Sequence, residues 1–207
     1  MHRLIATLGL PGAGKSTQAK ALARTLGGTA FSVGDWLRRL AADGDESARA
    51  TVASGDTISP EKYRRFLHHV FDDAPASLLM LDGSPRDARH VAVLAEVLAI
   101  RSPRSHVFGV LLELPTLGAA ESRIRGRSGA GPSQRHDDSQ EIATRRIALQ
   151  SCALAHLSAR FLTLWPLVNI DATGCEEAVT EQVLGALPSS WSSPSTVVSG
   201  QTGPHAR

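Results

Sequence analysis

The chain has 207 residues, enough for one sizeable core with small inserted segments. Charged residues make up 20% and apolar residues 42% of the sequence, a balance typical of a globular domain. No apolar run approaches the roughly 20 residues of a membrane span, and the formal net charge of +2 is too small to indicate a nucleic-acid partner. We therefore expect neither a membrane nor a nucleic acid among its partners.

Short apolar runs alternate with helical patterns along the chain. The runs that we predict as strands are residues 4–8, 29–33, 78–81, 107–114 and 164–170. Near-continuous apolar strands separated by helices indicate a parallel sheet that is covered on both faces. We therefore predict an α/β fold with a five-stranded parallel sheet flanked by helices, and a ligand site at the carboxyl ends of the strands.

A glycine-rich turn follows the first strand and leads into the first helix. Residues 9–17 read G-L-P-G-A-G-K-S-T, which contains the full G-x-x-x-x-G-K-S pattern of a P-loop. The glycines allow backbone N–H groups to point at a β-phosphate, and the helix N-terminus adds its positive dipole end. Lys15 can reach the β- and γ-phosphates, and the Ser16 hydroxyl can bind Mg²⁺. The stretch predicts a P-loop NTPase fold that binds a nucleoside triphosphate.

Two segments interrupt the alternation of strands and helices. Residues 34–71 are mainly helical in pattern, and residues 126–138 form a short loop rich in glycine, serine and arginine. Long insertions at the ligand edge of a domain are commonly binding loops or lids. From Pro188 onward the sequence becomes rich in serine, proline, threonine and glycine, so we predict a disordered tail over residues 188–207. Residues 1–187 then form a single domain.

Cysteine usage and the start of the chain bear on the cellular compartment. Cys152 and Cys175 have neither metal-site spacing nor a disulfide-rich context, which favours a reducing compartment. The first strand also begins too early to leave room for a signal peptide. We therefore expect a cytoplasmic protein.

Four further motifs follow the P-loop in a fixed order. Residues 34–38 read G-D-W-L-R, residues 82–86 read D-G-S-P-R, residues 123–127 have the pattern R-x-x-x-R, and two aspartates at 137–138 precede Arg146. In order and spacing the chain resembles the adenylate kinase family of nucleoside monophosphate (NMP) kinases, from about residue 3 to residue 187. The resemblance implies that residues 34–71 bind the monophosphate and that residues 126–138 form a short lid.

The resemblance also implies an activity and a set of site residues. The implied reaction is the transfer of the γ-phosphoryl group of ATP to a nucleoside monophosphate, with AMP as the leading acceptor, Mg²⁺ as cofactor and a monomer as the default state. Converging arginines suit this task because a guanidinium stays charged and grips phosphate with two donors. The implied residues are, for catalysis, Lys15, Arg86, Arg127, Arg135 and Arg146; for ATP, Gly12, Ala13, Gly14, Lys15, Ser16, Thr17, Arg123 and Arg127; for the monophosphate, Gly34, Arg38, Ile58, Gly83, Arg86 and His90; and for the metal, Ser16 and, through water, Asp82.

Three positions depart from the family's pattern, and all three bear on the acceptor base. Val33 replaces a threonine, Ser84 replaces an aromatic residue, and His90 stands where adenylate kinases carry a glutamine that reads adenine. Sites that hydrogen-bond a specific base discriminate strongly, so these changes should alter the preferred monophosphate more than the chemistry. We expect His90 to contact the acceptor base. Three alternatives stay open: another or modified nucleotide as acceptor, a small-molecule kinase, and a nucleotide-binding regulatory protein without transfer activity.

Overall fold

The computed structural model describes residues 2–74, 77–128 and 140–191. Within them the strands are β1 (Arg3–Gly9), β2 (Thr29–Ser32), β3 (Leu78–Asp82), β4 (His106–Glu113) and β5 (Leu167–Asp171). The helices are α1 (Lys15–Leu26), α2 (Val33–Ala42), α3 (Glu46–Ser54), α4 (Pro60–Asp72), α5 (Ala88–Arg101), α6 (Leu117–Ser128), α7 (Gln140–Leu162) and α8 (Glu176–Ala186). A short 3-10 helix, Ser189–Trp191, follows α8. None of the described helices is both long and apolar enough to cross a membrane.

The five strands form one parallel sheet in the order β2-β3-β1-β4-β5. The central strand β1 pairs with β3 on one side and β4 on the other, so that Arg3 lies between Leu78 and His106. The predicted α/β fold with a five-stranded parallel sheet flanked by helices is therefore confirmed. Because the P-loop leaves the carboxyl end of the central strand, it lies at the edge where such sheets bind ligands.

Two predicted strands have different ends in the structure. Strand β2 stops at Ser32 because its hydroxyl accepts a hydrogen bond from the backbone N–H of Asp35 and so caps helix α2. Strand β5 begins at Leu167 rather than at residue 164. The backbone N–H groups of Leu164 and Trp165 instead bond to the carbonyl of Phe161 and complete the end of helix α7.

The apolar core has one layer on each face of the sheet, as the alternation of side chains along the strands requires. Leu79 and Leu81 of β3 belong to the layer that includes α2, α4, α5 and α7. Met80 of the same strand belongs to the layer that includes α1 and α8. Helix α4 buries Tyr63, Phe66, Leu67 and Val70 completely in the first layer. The predicted insertion covers residues 34–71, and its carboxyl-terminal part, helix α4, is therefore built into the main core.

The first residues of the predicted tail are ordered, so the prediction of disorder is wrong for residues 188–191. Trp191 is only 6% exposed and packs its ring 6.2 Å from that of Phe108. The Arg3 guanidinium donates a hydrogen bond to the carbonyl of Ser190 at 3.3 Å. One large aromatic side chain buries enough area to order a short polar stretch. Residues 192–207 and most of the predicted lid, residues 129–138 with Arg135, lie outside the described residues.

Candidate active site

A cavity of about 230 Å³ lies at the carboxyl edge of the sheet, between the P-loop, helices α2 and α3, and helix α7. It brings together most of the residues predicted from the sequence. The predicted residues in its wall are Gly12, Gly14, Lys15, Ser16, Thr17, Gly34, Arg38, Asp82, Gly83, Arg86, Arg123 and Arg146. The wall therefore has a P-loop side, an insertion side and arginines contributed by separate elements.

The P-loop packs so closely on helix α6 that a side chain at Gly12 has no room. A Cβ there would lie 2.6 Å from the carbonyl oxygen of Ala120, and the φ of +83° also favours glycine. The Lys15 ammonium donates hydrogen bonds to the carbonyls of Gly9 and Leu10, at 2.9 and 2.6 Å. Ala13 differs from its neighbours in the loop, because it is buried in the core and does not line the cavity.

The end of strand β3 is fixed to the centre of the sheet by Thr7. Its hydroxyl donates to the carbonyl of Leu81 at 3.3 Å and accepts from the N–H of Gly83 at 3.1 Å. A Cβ at Gly83 would lie 3.1 Å from Cε of Lys15, so the close approach of the lysine depends on glycine. Sequence reasoning misses Thr7, although a lone polar residue inside the apolar run 4–8 is a signal that could have drawn attention to it.

Arginines line the cavity from four parts of the chain, namely α2, the loop after β3, α6 and α7. Arg38 of α2 pairs with Asp35, and a Cβ at Gly34 would lie 3.3 Å from the nearest guanidinium nitrogen of Arg38. Arg86 follows β3, and its Nε donates to the carbonyl of Gly83 at 3.1 Å. Arg123 of α6 donates to the carbonyl of Thr173 at 3.3 Å. Arg127 lies one turn after Arg123 in α6, but its side chain, like the whole of Arg135, lies outside the described part of the chain.

Helix α7 meets the end of helix α3 across the cavity. A nitrogen of the Arg146 guanidinium lies 3.4 Å from the carbonyl oxygen of Val52. A Cβ at Gly55 would lie only 3.0 Å from Cγ and Nε of the same arginine. Arg145 forms an ion pair with Asp56 at 2.9 Å, although nothing in the sequence motifs selects it. These contacts join segments about 90 residues apart in the chain, as the 89-residue separation of Arg145 and Asp56 illustrates.

The comparisons with known proteins agree with this geometry. A family model described as an AAA domain matches residues 8–144. An adenylate kinase of Agrobacterium fabrum is 31% identical over 186 residues, covering 85% of this chain and 93% of the relative. An adenylate kinase of Thermobifida fusca is 33% identical over 190 residues, covering 89% of this chain and 98% of the relative. The chain belongs to the adenylate kinase family. The resemblance inferred from the motifs is therefore confirmed.

This member of the adenylate kinase family does not bring His90 into its cavity. The imidazole is 1% exposed, stacks on the ring of Tyr63 at 4.3 Å, and lies 2.9 Å from the carbonyl oxygen of Ile58 through Nε2. Burial lowers the pKa of His90, and the nearby Asp87 carboxylate offsets part of that effect. Ile58 is also buried and does not line the cavity. The expectation that His90 contacts the acceptor base is not met in this structure.

The other two departures from the adenylate kinase pattern are likewise buried. The Ser84 hydroxyl donates to the Tyr63 hydroxyl at 2.7 Å, so a polar pair occupies the position predicted to have lost an aromatic ring. Val33 packs in the core, whereas Ser32 lines the cavity and caps α2. Val33 itself does not line the cavity, so the hydroxyl that the family pattern would place there is not missing from the cavity wall.

The P-loop side of the cavity carries oxygen donors suited to a divalent cation. The Ser16 hydroxyl and the Asp82 carboxylate both line it. Among the described residues, no group of three or more His, Cys, Asp or Glu side chains could hold a metal ion by itself. This donor set fits Mg²⁺, which prefers oxygen ligands and keeps several waters while it binds substrate phosphates.

Sequence reasoning does not select the remaining residues of the cavity wall. They are Pro11, Ser32, Leu37, Thr51, Val52, Gly55, Asp56, Ile124, Ala143 and Gln150. Several of them come from the end of α3 and from α7, which meet only in the folded chain. Pro11 and Leu37 lie inside the motifs at residues 9–17 and 34–38. Gly55 offers a further signal, because a glycine after a helical pattern predicts a helix end.

Proposed function

We propose that this protein transfers the γ-phosphoryl group of ATP to a nucleoside monophosphate, giving ADP and a nucleoside diphosphate, with AMP as the leading acceptor. One observation carries the proposal. A single cavity is lined by the P-loop on one side and by α2 and α3 on the other, with Lys15, Arg86 and Arg146 in its wall. The curated relatives named adenylate kinase support the same reaction.

The donor half of the site would hold the triphosphate of ATP. The N–H groups around Gly12 and Gly14 and the N-terminus of α1 favour anionic oxygens. Lys15 would give up its hydrogen bonds to the carbonyls of Gly9 and Leu10 and donate instead to the β- and γ-phosphates. Phosphate oxygens are charged and therefore accept stronger hydrogen bonds than carbonyls do. Arg123 would lie beside the adenine, and Mg²⁺, held by Ser16 and through water by Asp82, would neutralise phosphate charge.

The acceptor half would hold the phosphate of the monophosphate with Arg38 and Arg86. Two nucleotides bring several negative charges together, so catalysis consists mainly of positioning and of neutralising that charge. Arg146, together with Arg127 and Arg135, would surround the transferring phosphoryl group. Closing α2 and α3 toward the P-loop would exclude water and suppress ATP hydrolysis.

A second candidate acceptor is a monophosphate with another or a modified base. The observation that favours it is the burial of His90 and Ser84 away from the cavity, together with the presence of Leu37, Thr51 and Val52 in the wall. A site without a dedicated hydrogen-bonding reader discriminates bases weakly.

We further propose that the protein is a cytoplasmic monomer whose partners are ATP and the monophosphate, without nucleic acid or membrane.

The test is ADP formation from ATP and Mg²⁺ with a panel of ribo- and deoxynucleoside monophosphates. Lys15→Ala removes the phosphate-binding ammonium, and Lys20→Ala, on the exposed face of the same helix, is the matched control. Highest turnover with AMP, lost in the Lys15 variant and kept in the Lys20 variant, supports the main proposal. Highest turnover with another monophosphate supports the second candidate. ATP binding by calorimetry without transfer to any member of the panel contradicts both.

A further inference from the structure

Both ring nitrogens of His90 are engaged, and the chemistry of their partners fixes the tautomer. The backbone N–H of Arg86 lies 3.4 Å from Nδ1, and because an N–H can only donate, Nδ1 must accept. The Ile58 carbonyl lies 2.9 Å from Nε2, and because a carbonyl can only accept, Nε2 must carry the proton. The neutral Nε2–H imidazole therefore satisfies both contacts at once.

The two partners of His90 belong to parts of the site with different tasks. Ile58 lies in the segment between α3 and α4, where the acceptor-binding insertion rejoins the core. Arg86 lies in the loop after β3 and lines the cavity. Tyr63 stacks on the imidazole and also accepts a hydrogen bond from Ser84, in that same loop. The buried imidazole thus joins the base of the insertion to the loop that presents Arg86.

We propose that His90 is a positioning residue which, as the Nε2–H tautomer, holds the Arg86 loop against the base of the insertion and so fixes Arg86 for the acceptor phosphate. The kinetic part of this proposal rests on the proposed function. His90 then acts on acceptor affinity through Arg86 and does not select the base.

Protonation of His90 would break this arrangement. A second ring N–H at Nδ1 would face the N–H of Arg86, and two donors repel. The charged groups near the ring are Asp87, which favours the imidazolium, and Arg86 and Arg89, which disfavour it; Tyr63 is the titratable group stacked on it from α4. Burial is the largest influence and lowers the pKa of His90, so the imidazole is neutral at pH 7.

Two substitutions separate the contacts of His90. His90→Asn retains an acceptor at the position of Nδ1, and His90→Gln retains a donor that reaches toward Ile58. His156→Asn, at an exposed position on α7, controls for loss of a histidine. We expect His90→Gln to raise the acceptor KM about five- to tenfold, from loss of one hydrogen bond, with kcat and the KM for ATP unchanged. His90→Asn should have the smaller effect and His156→Asn none.

Two kinetic results would overturn the proposal. A changed order of preference among monophosphates in His90→Gln would make His90 a base reader. An equal rise of KM for ATP and for the acceptor in both His90 variants would indicate only general loss of packing.

A measurement on the wild-type protein needs neither a variant nor turnover. In protein labelled with ¹⁵N-histidine, the nitrogen shifts of His90 at pH 7.5 should identify a protonated Nε2 and an unprotonated Nδ1. The opposite tautomer, or rapid exchange between the two, would refute the positioning role even if the protein is an active kinase. The expected tautomer in a protein without kinase activity would support the buried contacts and contradict the proposed function alone.

Discussion

The contact between Gly55 and Arg146 offers a test of how strongly the end of α3 controls Arg146, which we propose surrounds the transferring phosphoryl group. Gly55 caps α3 at a φ of +71°, and Gly27 caps α1 at +67°. A Cβ at Gly55 would lie 3.0 Å from Cγ and Nε of Arg146, whereas nothing lies within 4 Å of a Cβ at Gly27. The same Cβ at Gly55 would lie 3.0 Å from Cγ2 of Ile142. Gly55→Ala and Gly27→Ala therefore share the backbone strain and differ in the side-chain contacts of the new Cβ, of which those with Arg146 bear on catalysis.

The size of the effect follows from these distances. Alanine in the left-handed region costs about 1–2 kcal/mol, of which roughly 0.4–1 kcal/mol is recovered from the less flexible unfolded chain. Backbone strain should therefore cost each variant about 1 kcal/mol, or about 2–4 °C in Tm for a chain of this size, and the close contacts with Arg146 and Ile142 add to the loss in Gly55→Ala. In Gly55→Ala alone, Arg146 must also move by about 0.4 Å to reach an ordinary contact distance of 3.4 Å. Misplacement by about 1 Å can cost about 100-fold in rate, so we expect kcat to fall about five- to tenfold.

The assay combines thermal unfolding with steady-state ADP formation at 25 °C. A fall of kcat confined to Gly55→Ala would support the reasoning. A wild-type kcat in both variants would refute it, because the contact with Arg146 would then have no bearing on catalysis. A fall of the same size in both variants would also refute it, since strain alone would explain the loss.

Three further predictions concern other parts of the molecule. Lys15→Ala should lower kcat by at least about 100-fold with little change in Tm, and a smaller loss in the ADP assay would contradict its role. Trp191→Ala should lower the free energy of unfolding by about 3 kcal/mol, or roughly 6–12 °C in Tm, while kcat at 25 °C stays at the wild-type value; a Tm within 2 °C of wild type would contradict its burial. Burial holds the pKa of His90 in the folded protein below its ordinary value of 6.5. As pH falls through 6.5, the imidazole therefore takes up a proton in the unfolded chain before it does so in the folded protein. Stability should therefore fall by up to about 1.4 kcal/mol per pH unit, and urea unfolding at pH 7.5 and 5.5 should show a smaller loss in His90→Gln; equal losses would contradict the shift.

The P-loop side of the cavity, and the arginines that follow β2 and β3, could be predicted from the sequence because their determinants are contiguous. The strand, turn and helix around Gly12 and Lys15 place the loop at the sheet edge by local geometry alone. The positions of Arg38 and Arg86 follow from motifs directly after β2 and β3, and the structure brings both to the cavity. Sequence order is sufficient there, since parallel strands end at a common edge.

The surroundings of His90 and the pairing of α3 with α7 could not be predicted in the same way because they depend on contacts between distant segments. The orientation of His90 depends on Tyr63, which stacks on it from another helix, and on the carbonyl of Ile58. The spacing of four residues after Arg86 gives no sign of either contact. Arg145 and Asp56 pair across 89 residues, and a lone arginine on a helix gives no indication of its partner.

The central position of β1 has a consequence for how the protein is made. Arg3 pairs with Leu78 and with His106, which follow it by 75 and 103 residues. At a synthesis rate of about 5–20 residues per second, the first strand waits about 5–20 s for its second neighbour. Until then at least one of its two hydrogen-bonding edges lacks its partner strand. The segment that leads into the P-loop is therefore synthesised first but becomes fully enclosed only after more than half of the polypeptide has been made.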